Sequence, residues 1–196
     1  MSKQTDNFYN RFSFLYPLVD IFLQSHKRVL FQEINSLPFG RLLEIGVGNG
    51  THLPMYKKHD IIGIDTSLSM LDNACKYKNE HIKLMQMSGE ALLFLSETFD
   101  YIVISHVIAV IDRPEVLLAE TYRVLRPNGK IYILNHFTPA TWLKYIDYAA
   151  QIFSKMVHFK AVFYINGLKE LEKFSLLKEI NFGKHAYFKL LIYSKK

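Results

Sequence analysis

The sequence predicts a single α/β domain whose doubly wound sheet is mostly parallel and ends in an antiparallel hairpin. Its 196 residues suit one domain, and a composition that is 49% hydrophobic and 21% charged excludes a disordered chain. Over residues 40–137, short apolar runs alternate with helical stretches, a pattern typical of parallel strands covered by helices on both faces. Two strand-like runs near the C-terminus, joined through Gly183, complete a predicted sheet of seven strands.

The first predicted element is an N-terminal helix, or two helices, at residues 12–36 within a cap that spans residues 1–39. Apolar side chains recur in this segment at helical spacing. Pro38 and Gly40 end the pattern, because neither residue favours the continuation of a helix.

The central segment, residues 40–137, alternates five strands with three helices. Ser67 is placed to cap the second helix, and Pro114 suits the first turn of the third. The sequence Arg-Pro-Asn-Gly at 126–129 has the composition of a turn. The predicted strands are residues 42–45, 60–64, 82–87, 101–107 and 130–135, and the predicted helices are residues 51–58, 68–78 and 114–125.

The pattern changes after the fifth strand. Residues 138–175 are rich in aromatic side chains and read as a helical insert. Residues 176–196 contain the two closing strands, which we expect at 176–182 and 186–194. Right-handed crossovers between the parallel strands would make the whole a doubly wound sheet.

The positive charge is concentrated at one end of the chain. The formal net charge is +6, yet basic and acidic residues balance over residues 1–137, so the excess lies in residues 138–196. A local excess of this kind indicates an anionic partner, while the alternative is that the lysines only increase solubility. The lysines that would meet such a partner are Lys144, Lys155, Lys160, Lys169 and Lys173, whereas Lys195 and Lys196 read as a solvated tail.

Other global features exclude several classes of protein. Cys75 is the single cysteine, so no internal disulfide is expected, and neither a clustered Cys/His pattern nor an HExxH arrangement indicates a metal site. The first residues lack the apolar core of a secretion signal, and no apolar run approaches the roughly 18 residues of a spanning helix. These features predict a cytoplasmic location, either free or on the inner face of the membrane.

A glycine-rich loop follows the first predicted strand. Glu44 precedes Gly46, Gly48 and Gly50, a spacing that differs from the G-x-G-x-x-G of a pyrophosphate site. A carboxylate beside the loop disfavours a diphosphate and suits a ligand with positive charge. Asp65 ends the second strand, where an acid can accept both hydroxyls of a ribose. A nucleoside with positive groups in place of phosphates describes S-adenosylmethionine, while the alternative is a structural glycine turn.

These segments resemble the motifs of the class I S-adenosylmethionine-dependent methyltransferases, which have a Rossmann-like fold. The resemblance covers about residues 40–137, with later motifs at 99–103 and 120–129. It implies that the glycines wrap the methionine part of the donor, that Glu44 lies near its ammonium group and that Asp65 holds the ribose. Ser88 stands where many members carry an acid that contacts the adenine. The other residues expected at the donor are Thr66, Ser67, Met70, Gly89, Glu90 and Ser105.

Four segments resemble more closely the bacterial phospholipid N-methyltransferases, which convert phosphatidylethanolamine towards phosphatidylcholine. They are residues 42–56, residues 105–108, residues 124–129 and residues 134–137. The resemblance implies a phospholipid or related aminolipid as acceptor and an anionic membrane surface as a partner. Tyr9 and Tyr16 loosely match a tyrosine-containing opening in these enzymes.

Two histidines are candidate catalytic residues at the acceptor. His106 and His136 follow core strands at their carboxyl ends, where one of them would orient or deprotonate an amine. Tyr9 and Tyr16 would place aromatic faces around the increasingly methylated nitrogen. Simple packing or hydrogen bonding remains the alternative for all four side chains. The other histidines, at positions 26, 52, 59, 81, 158 and 185, read as surface or loop residues.

Two further functions stay open at this point. One is a soluble methyltransferase of a small metabolite such as a quinone precursor, and the other is a non-enzymatic S-adenosylmethionine-binding module. Nucleic acid is not expected as a substrate, because the Asn/Asp-Pro-Pro-aromatic motif of base-amino methyltransferases does not follow the fourth strand.

Overall fold

The structure is a computed structural model that describes residues 16–136, 167–182 and 188–196, and for residues 16–25 and 136 it describes the backbone alone. The predicted helical insert therefore lies outside the described residues over positions 138–166. Tyr9 also lies outside them, as do the side chains of Tyr16 and His136.

The described residues form one seven-stranded sheet with three α-helices. The strand order is β3-β2-β1-β4-β5-β7-β6. The strands are β1 (Arg41–Ile45), β2 (Asp60–Asp65), β3 (Ile82–Gln86), β4 (Phe99–Ser105), β5 (Leu125–His136), β6 (Phe174–Phe182) and β7 (Phe188–Lys195), and the α-helices are α1 (Tyr16–Ser36), α2 (Leu68–Ala74) and α3 (Pro114–Val124).

The first five strands are parallel, and β7 runs antiparallel to both of its neighbours, β5 and β6. β1 pairs with both β2 and β4, so the strand order reverses beside it, and β7 inserts antiparallel between β5 and β6. In open α/β sheets, ligands bind at such a reversal, beyond the carboxyl ends of the strands. The predicted doubly wound sheet with a terminal hairpin is confirmed.

Apolar side chains cover both faces of the sheet. Leu42 and Leu43 are neighbours on β1, point to opposite faces and are both fully buried. Leu43 lies in the core that includes Leu117 of α3, and Leu42 lies in the core that includes Ile34 of α1. Burial on both faces explains why the strands read as continuous apolar runs rather than as alternating ones.

The helix predicted at residues 51–58 is wrong. The segment contains a single 3-10 turn, Leu53–Met55, after which Tyr56 returns to extended backbone with φ −72° and ψ 131°. Pro54 is the second residue of this turn, and Gly50, just before the predicted helix, has φ +70°. A left-handed glycine before the segment and a proline that donates no hydrogen bond leave too few residues for an α-helix.

The turn predicted at residues 126–129 lies inside β5. Leu125 pairs with Phe99 and Lys130 pairs with Tyr101, so the two strands lose register between these pairs. The extra residues form an irregularity in which Asn128 adopts φ +61°. Asparagine tolerates the left-handed region better than most residues, so the local turn chemistry is present without ending the strand.

The remaining helices and closing strands agree with the prediction within a few residues. The Ser67 side chain caps α2 by accepting a hydrogen bond from the Met70 amide, and Pro114 lies in the first turn of α3. Residues 169–173 form a 3-10 helix, and β6 begins at Phe174 inside the segment assigned to the insert.

Most of the described C-terminal lysines bond within the protein. Lys195 is only 8% exposed and donates to the Leu125 carbonyl at 2.8 Å, so the expectation of a solvated tail is wrong for this residue. Lys173 pairs with Glu170, Lys178 with Glu33 and Lys189 with Glu179, each at 2.7 Å.

Candidate functional site

A cleft of about 220 Å³ opens at the carboxyl ends of β1, β2 and β4, at the reversal of the strand order. It brings together most of the residues predicted to bind the donor, as well as His106. Gly50 is not part of its lining. The predicted residues that line the cleft are Glu44, Gly46, Gly48, Asp65, Thr66, Ser67, Met70, Ser88, Gly89, Glu90, Ser105 and His106.

The glycine loop is fixed by backbone conformation and by close packing. Gly46, Gly48 and Gly50 all have positive φ, between +57° and +77°. A Cβ at Gly46 would collide with the Val107 side chain, and one at Gly50 would lie 2.7 Å from the Ala74 backbone. At Gly48 a Cβ would meet nothing within 4 Å, so this glycine leaves open space beside the cleft. Gly50 thus shapes the loop from behind, while Gly46 and Gly48 face the ligand space.

Asp65 holds the glycine loop against the end of β2. Its Oδ2 accepts a hydrogen bond from the Gly48 amide at 2.8 Å, and its Oδ1 accepts one from the Ser67 amide at 2.9 Å. Each carboxylate oxygen can accept more than one hydrogen bond, so the carboxylate can also accept from a ligand. The two amides fix the direction in which the carboxylate faces the cleft.

Glu44 lies at the end of β1 in a buried polar cluster. The residue is 2% exposed, and His52 Nε2 lies 2.7 Å from its Oε1. The Tyr56 hydroxyl donates to its Oε2 at 2.9 Å. Burial and the neighbouring Glu44 carboxylate raise the pKa of Tyr56 well above 10.0, so the phenol stays protonated and remains a donor.

The loop after β3 is tied to the start of α3. The Glu90 carboxylate accepts hydrogen bonds from the Arg113 amide at 2.8 Å and from the Arg113 guanidinium at 2.9 and 3.1 Å. The Glu90 amide in turn donates to the Ser88 hydroxyl at 3.2 Å. Both side chains line the cleft, but the Glu90 carboxylate is engaged by Arg113 and holds the wall in place.

Ser105 ends β4 at the opposite wall, and His106 follows it. The Ser105 hydroxyl is buried and has no hydrogen-bond partner among the described residues. His106 has φ +60°, a conformation that L-residues rarely adopt, and its amide donates to the Leu134 carbonyl at 2.7 Å. Backbone strain of this kind is concentrated at functional sites. Its ring lies 6.0 Å from the Phe188 ring, centroid to centroid.

The backbone places His136 near the same end of the sheet. His136 is the last residue of β5 and pairs with Phe188 of β7. The aromatic ring that approaches His106 therefore belongs to the residue paired with His136. The side chains of His136, Tyr9 and Tyr16 lie outside the described residues, so their predicted roles at the acceptor stay predictions.

The sequence reasoning missed two histidines that fold into the interior. His52 is 9% exposed and lines the cleft, and His59 is 1% exposed with its Nε2 3.0 Å from the Ile34 carbonyl oxygen. His26 is partly buried and stacks on Phe188 at 4.9 Å, and burial lowers its pKa. The expectation of surface or loop positions is wrong for His52 and His59. Their burial depends on contacts with α1 that no local pattern encodes.

Other observations concern metals and membranes. Within residues 16–136, 167–182 and 188–196, no group of three His, Cys, Asp or Glu side chains is placed to hold a metal ion. No helix in the part of the chain that the structure describes combines the length and apolar composition needed to cross a bilayer.

The geometry of the site is that of a nucleoside-binding α/β domain, with a glycine loop, an acid at a strand end and a reversal of the strand order. Comparison with known families identifies the class of this domain. A family model described as a methyltransferase domain matches residues 43–133. These residues form a class I S-adenosylmethionine-dependent methyltransferase domain. The predicted fold, enzyme class and donor are confirmed at this level.

Relatives of the methyltransferase domain act on different acceptors. A phosphatidylethanolamine N-methyltransferase of Cereibacter sphaeroides is 40% identical over 105 residues, which cover 50% of this chain and 51% of that protein. A demethylmenaquinone methyltransferase of Renibacterium salmoninarum is 29% identical over 115 residues, which cover 58% of this chain and 48% of that protein. The chain therefore spans about half the length of these relatives.

A solved structure supports the fold of the methyltransferase domain. Haemonchus contortus phosphoethanolamine N-methyltransferase 2, in complex with S-adenosyl-L-methionine, superposes with a TM-score of 0.69 at 16% identity. The match covers 87% of this chain and 52% of that one.

Proposed function

We propose that the protein transfers the methyl group of S-adenosylmethionine to the amine of an aminophospholipid such as phosphatidylethanolamine. The observation that carries the proposal is that His106 lines the same cleft as the glycine loop and Asp65. A donor subsite and a candidate base then share one cavity. The 40% identity to a phosphatidylethanolamine N-methyltransferase supports this choice of acceptor.

The donor would be held by the residues at the ends of β1, β2 and β3. The glycine loop allows the backbone to approach the methionine part closely, and Asp65 accepts from the ribose hydroxyls. Ser67 and Met70 at the start of α2, together with Ser88 and Gly89, would surround the adenine, with Thr66 beside them. Glu44 contributes negative charge beside a donor that carries a sulfonium and an ammonium group.

The acceptor would enter beside β4. In the transfer, the amine lone pair forms a bond to the methyl carbon while the carbon–sulfur bond breaks, and the electron pair remains on sulfur as S-adenosylhomocysteine. A protonated amine has no free lone pair, so a base must accept a proton before attack. His106 is the candidate base in the described residues, and Ser105 offers a buried hydroxyl to orient either partner.

A C-methyltransferase of a quinone precursor is the second candidate, because a demethylmenaquinone methyltransferase matches this chain over a similar span. That reaction requires the acceptor ring to be activated by loss of a phenolic proton, which a histidine can also accept. The acceptor class therefore depends on what the cleft admits rather than on the donor residues.

Association with an anionic membrane is part of the proposal for a lipid acceptor. Lys173, Lys178 and Lys189 pair with carboxylates of the protein, so in this structure their charges are not directed at a membrane surface. Lys144, Lys155 and Lys160, the lysines of the predicted insert that remain candidates, lie outside the described residues. Lys169 is exposed at the start of the 3-10 helix.

Expression in a host that makes phosphatidylethanolamine but no phosphatidylcholine tests the lipid acceptor. Lipid profiling by mass spectrometry should show mono-, di- or trimethylated phosphatidylethanolamine, and Gly46→Ala should abolish it. Unchanged lipids in cells that contain folded, donor-binding protein would contradict the lipid acceptor. A methylated quinone precursor in the same cells would support the second candidate.

A further inference from the structure

The buried carboxylate at the donor cleft is held between two side chains that form no part of the glycine loop. Glu44 Oε1 lies 2.7 Å from His52 Nε2, and Glu44 Oε2 accepts from the Tyr56 hydroxyl at 2.9 Å. Glu44 and His52 both line the cleft, while Tyr56 packs behind them at 5% exposure. Phe31 of α1 closes the cluster, with its ring 5.9 Å from His52 and 4.7 Å from Tyr56.

The hydrogen bonds define where the protons lie. An ionised carboxylate only accepts hydrogen bonds, so His52 Nε2 must carry a hydrogen to bond with Glu44. The other ring nitrogen, Nδ1, is buried and has no hydrogen-bond partner among the described residues. A second ring proton at Nδ1 would therefore be desolvated without an acceptor, which is costly. The geometry favours a neutral imidazole that donates to Glu44 without cancelling its charge.

We propose that His52 and Tyr56 are positioning residues that hold the Glu44 carboxylate by hydrogen bonds without cancelling its charge, so that the cationic groups of the donor supply its counter-charge. The inference rests on the proposed binding of S-adenosylmethionine to this cleft. Two neutral donors stabilise the carboxylate, and its net negative charge remains available to the ligand. An imidazolium at position 52 would instead neutralise Glu44 before the donor arrives.

Calorimetric titration of the full chain with S-adenosylmethionine at about pH 7 tests the inference. His52→Gln keeps an N–H donor for Glu44, whereas His52→Leu removes it. The dissociation constant should stay near the wild-type value in His52→Gln and rise roughly ten-fold in His52→Leu. A wild-type dissociation constant in His52→Leu would overturn the inference.

Tyr56→Phe provides a second, independent variant. It removes the hydrogen bond to Glu44 Oε2, so the carboxylate loses one of the two side chains that hold it. Donor affinity in Tyr56→Phe should therefore fall several-fold. An unchanged donor affinity would contradict a positioning role for Tyr56.

Two control variants separate the cluster from general effects of histidine replacement. His59→Leu alters a buried histidine that does not line the cleft, and it should retain the wild-type donor affinity. His106→Asn removes the other histidine of the cleft and should also retain it. A loss of donor affinity in His59→Leu as large as in His52→Leu would assign the effect to the general loss of a buried histidine and overturn the inference.

The outcomes separate the inference from the proposed function. Wild-type donor binding that neither His52→Leu nor Tyr56→Phe weakens would overturn the inference alone. Absence of donor binding by the wild type would overturn the proposed function.

Discussion

At the scale of single residues, two positions in the glycine loop require glycine for different reasons. Gly46 has φ +77° and no room for a Cβ beside Val107, whereas Gly48 has φ +57° and open space around it. The first glycine is required by the folded protein itself. The second leaves room that a ligand can occupy.

Alanine substitutions at these two glycines should therefore have different effects. Gly46→Ala combines left-handed strain with overpacking and should lower the free energy of unfolding by about 2–4 kcal/mol. Gly48→Ala should cost only about 1 kcal/mol of strain, yet place a methyl group where the donor binds. Chemical denaturation and donor titration measure the two quantities. Equal stability losses in the two variants would contradict this distinction.

His106 is expected to act on the acceptor rather than on the donor. Replacement by asparagine removes the base while keeping a residue that tolerates φ +60°. His106→Asn should reduce kcat roughly 100-fold or more, with the dissociation constant of S-adenosylmethionine changed by less than about two-fold. Steady-state kinetics and donor titration together check this. A large loss of donor affinity would reassign His106 to the donor subsite.

The same scale shows where sequence reasoning reaches its limit. Gly46, Gly48 and Asp65 could be predicted because consecutive residues at strand ends carry their own geometric signature. The partners of Glu44 could not, since His52 and Tyr56 reach it only after Pro54 turns the chain and α1 covers the loop. The wrong helix prediction at residues 51–58 and the unpredicted burial of His52 have the same cause. This segment does not follow a helical path.

At the scale of elements, the C-terminal end of α1 is fastened to the segment that carries the Glu44 partners. The Asn35 side chain donates to the Met55 carbonyl at 2.9 Å and accepts from the Lys57 amide at 3.1 Å. One amide side chain thus satisfies two backbone groups of a segment that lacks regular hydrogen bonding. Its loss should loosen residues 53–57 and, with them, Tyr56.

Asn35→Ala should lower the free energy of unfolding by about 1–2 kcal/mol, because two backbone groups lose their partner. Hydrogen exchange should increase at residues 53–57, while the strands of the sheet keep their protection. Gln32→Ala, at an exposed position of the same helix, provides the matched control and should change neither quantity. Equal effects at both positions would contradict the fastening role of Asn35.

The elements themselves were predictable to different degrees. Strands β1, β2 and β4 are continuous apolar runs because helices cover both faces, and this burial leaves a clear signal in the sequence. Residues 126–129 have the composition of a turn, but Leu125 and Lys130 on either side of them both pair with β4, so the stretch lies within β5. Strand pairing overrides the local turn preference of residues 126–129, and a pattern in one sequence does not reveal such pairing.

At the scale of the whole molecule, the stability of the folded protein depends on the protonation of several buried tyrosines. Burial and nearby carboxylates raise the pKa of Tyr56, of Tyr132 and of Tyr193 above 10.0 in the folded protein. The unfolded chain loses these protons near the ordinary tyrosine value, while the folded protein retains them. Their contribution to stability is therefore complete below about pH 10 and is lost as the pH rises through the folded-state values.

The free energy of unfolding should consequently fall as the pH rises from about 10 to about 12. Tyr132→Phe removes one of these buried phenol groups, so the free energy of unfolding should fall less steeply with pH. Tyr77→Phe, at a position 41% exposed, serves as the control and should leave the slope unchanged. Denaturation measured across this range checks the prediction, and identical slopes in all three proteins would contradict it.

The central claim is methyl transfer from S-adenosylmethionine in this cleft to the amine of an aminophospholipid. The most direct measurement incubates the protein with S-adenosylmethionine that carries a deuterated methyl group and with vesicles that contain both phosphatidylethanolamine and a demethylated quinone. Mass spectrometry should find the deuterated methyl on the phosphatidylethanolamine headgroup, in an amount that matches the S-adenosylhomocysteine formed. Label on the quinone alone, or no label on either lipid while the donor binds, would contradict the account.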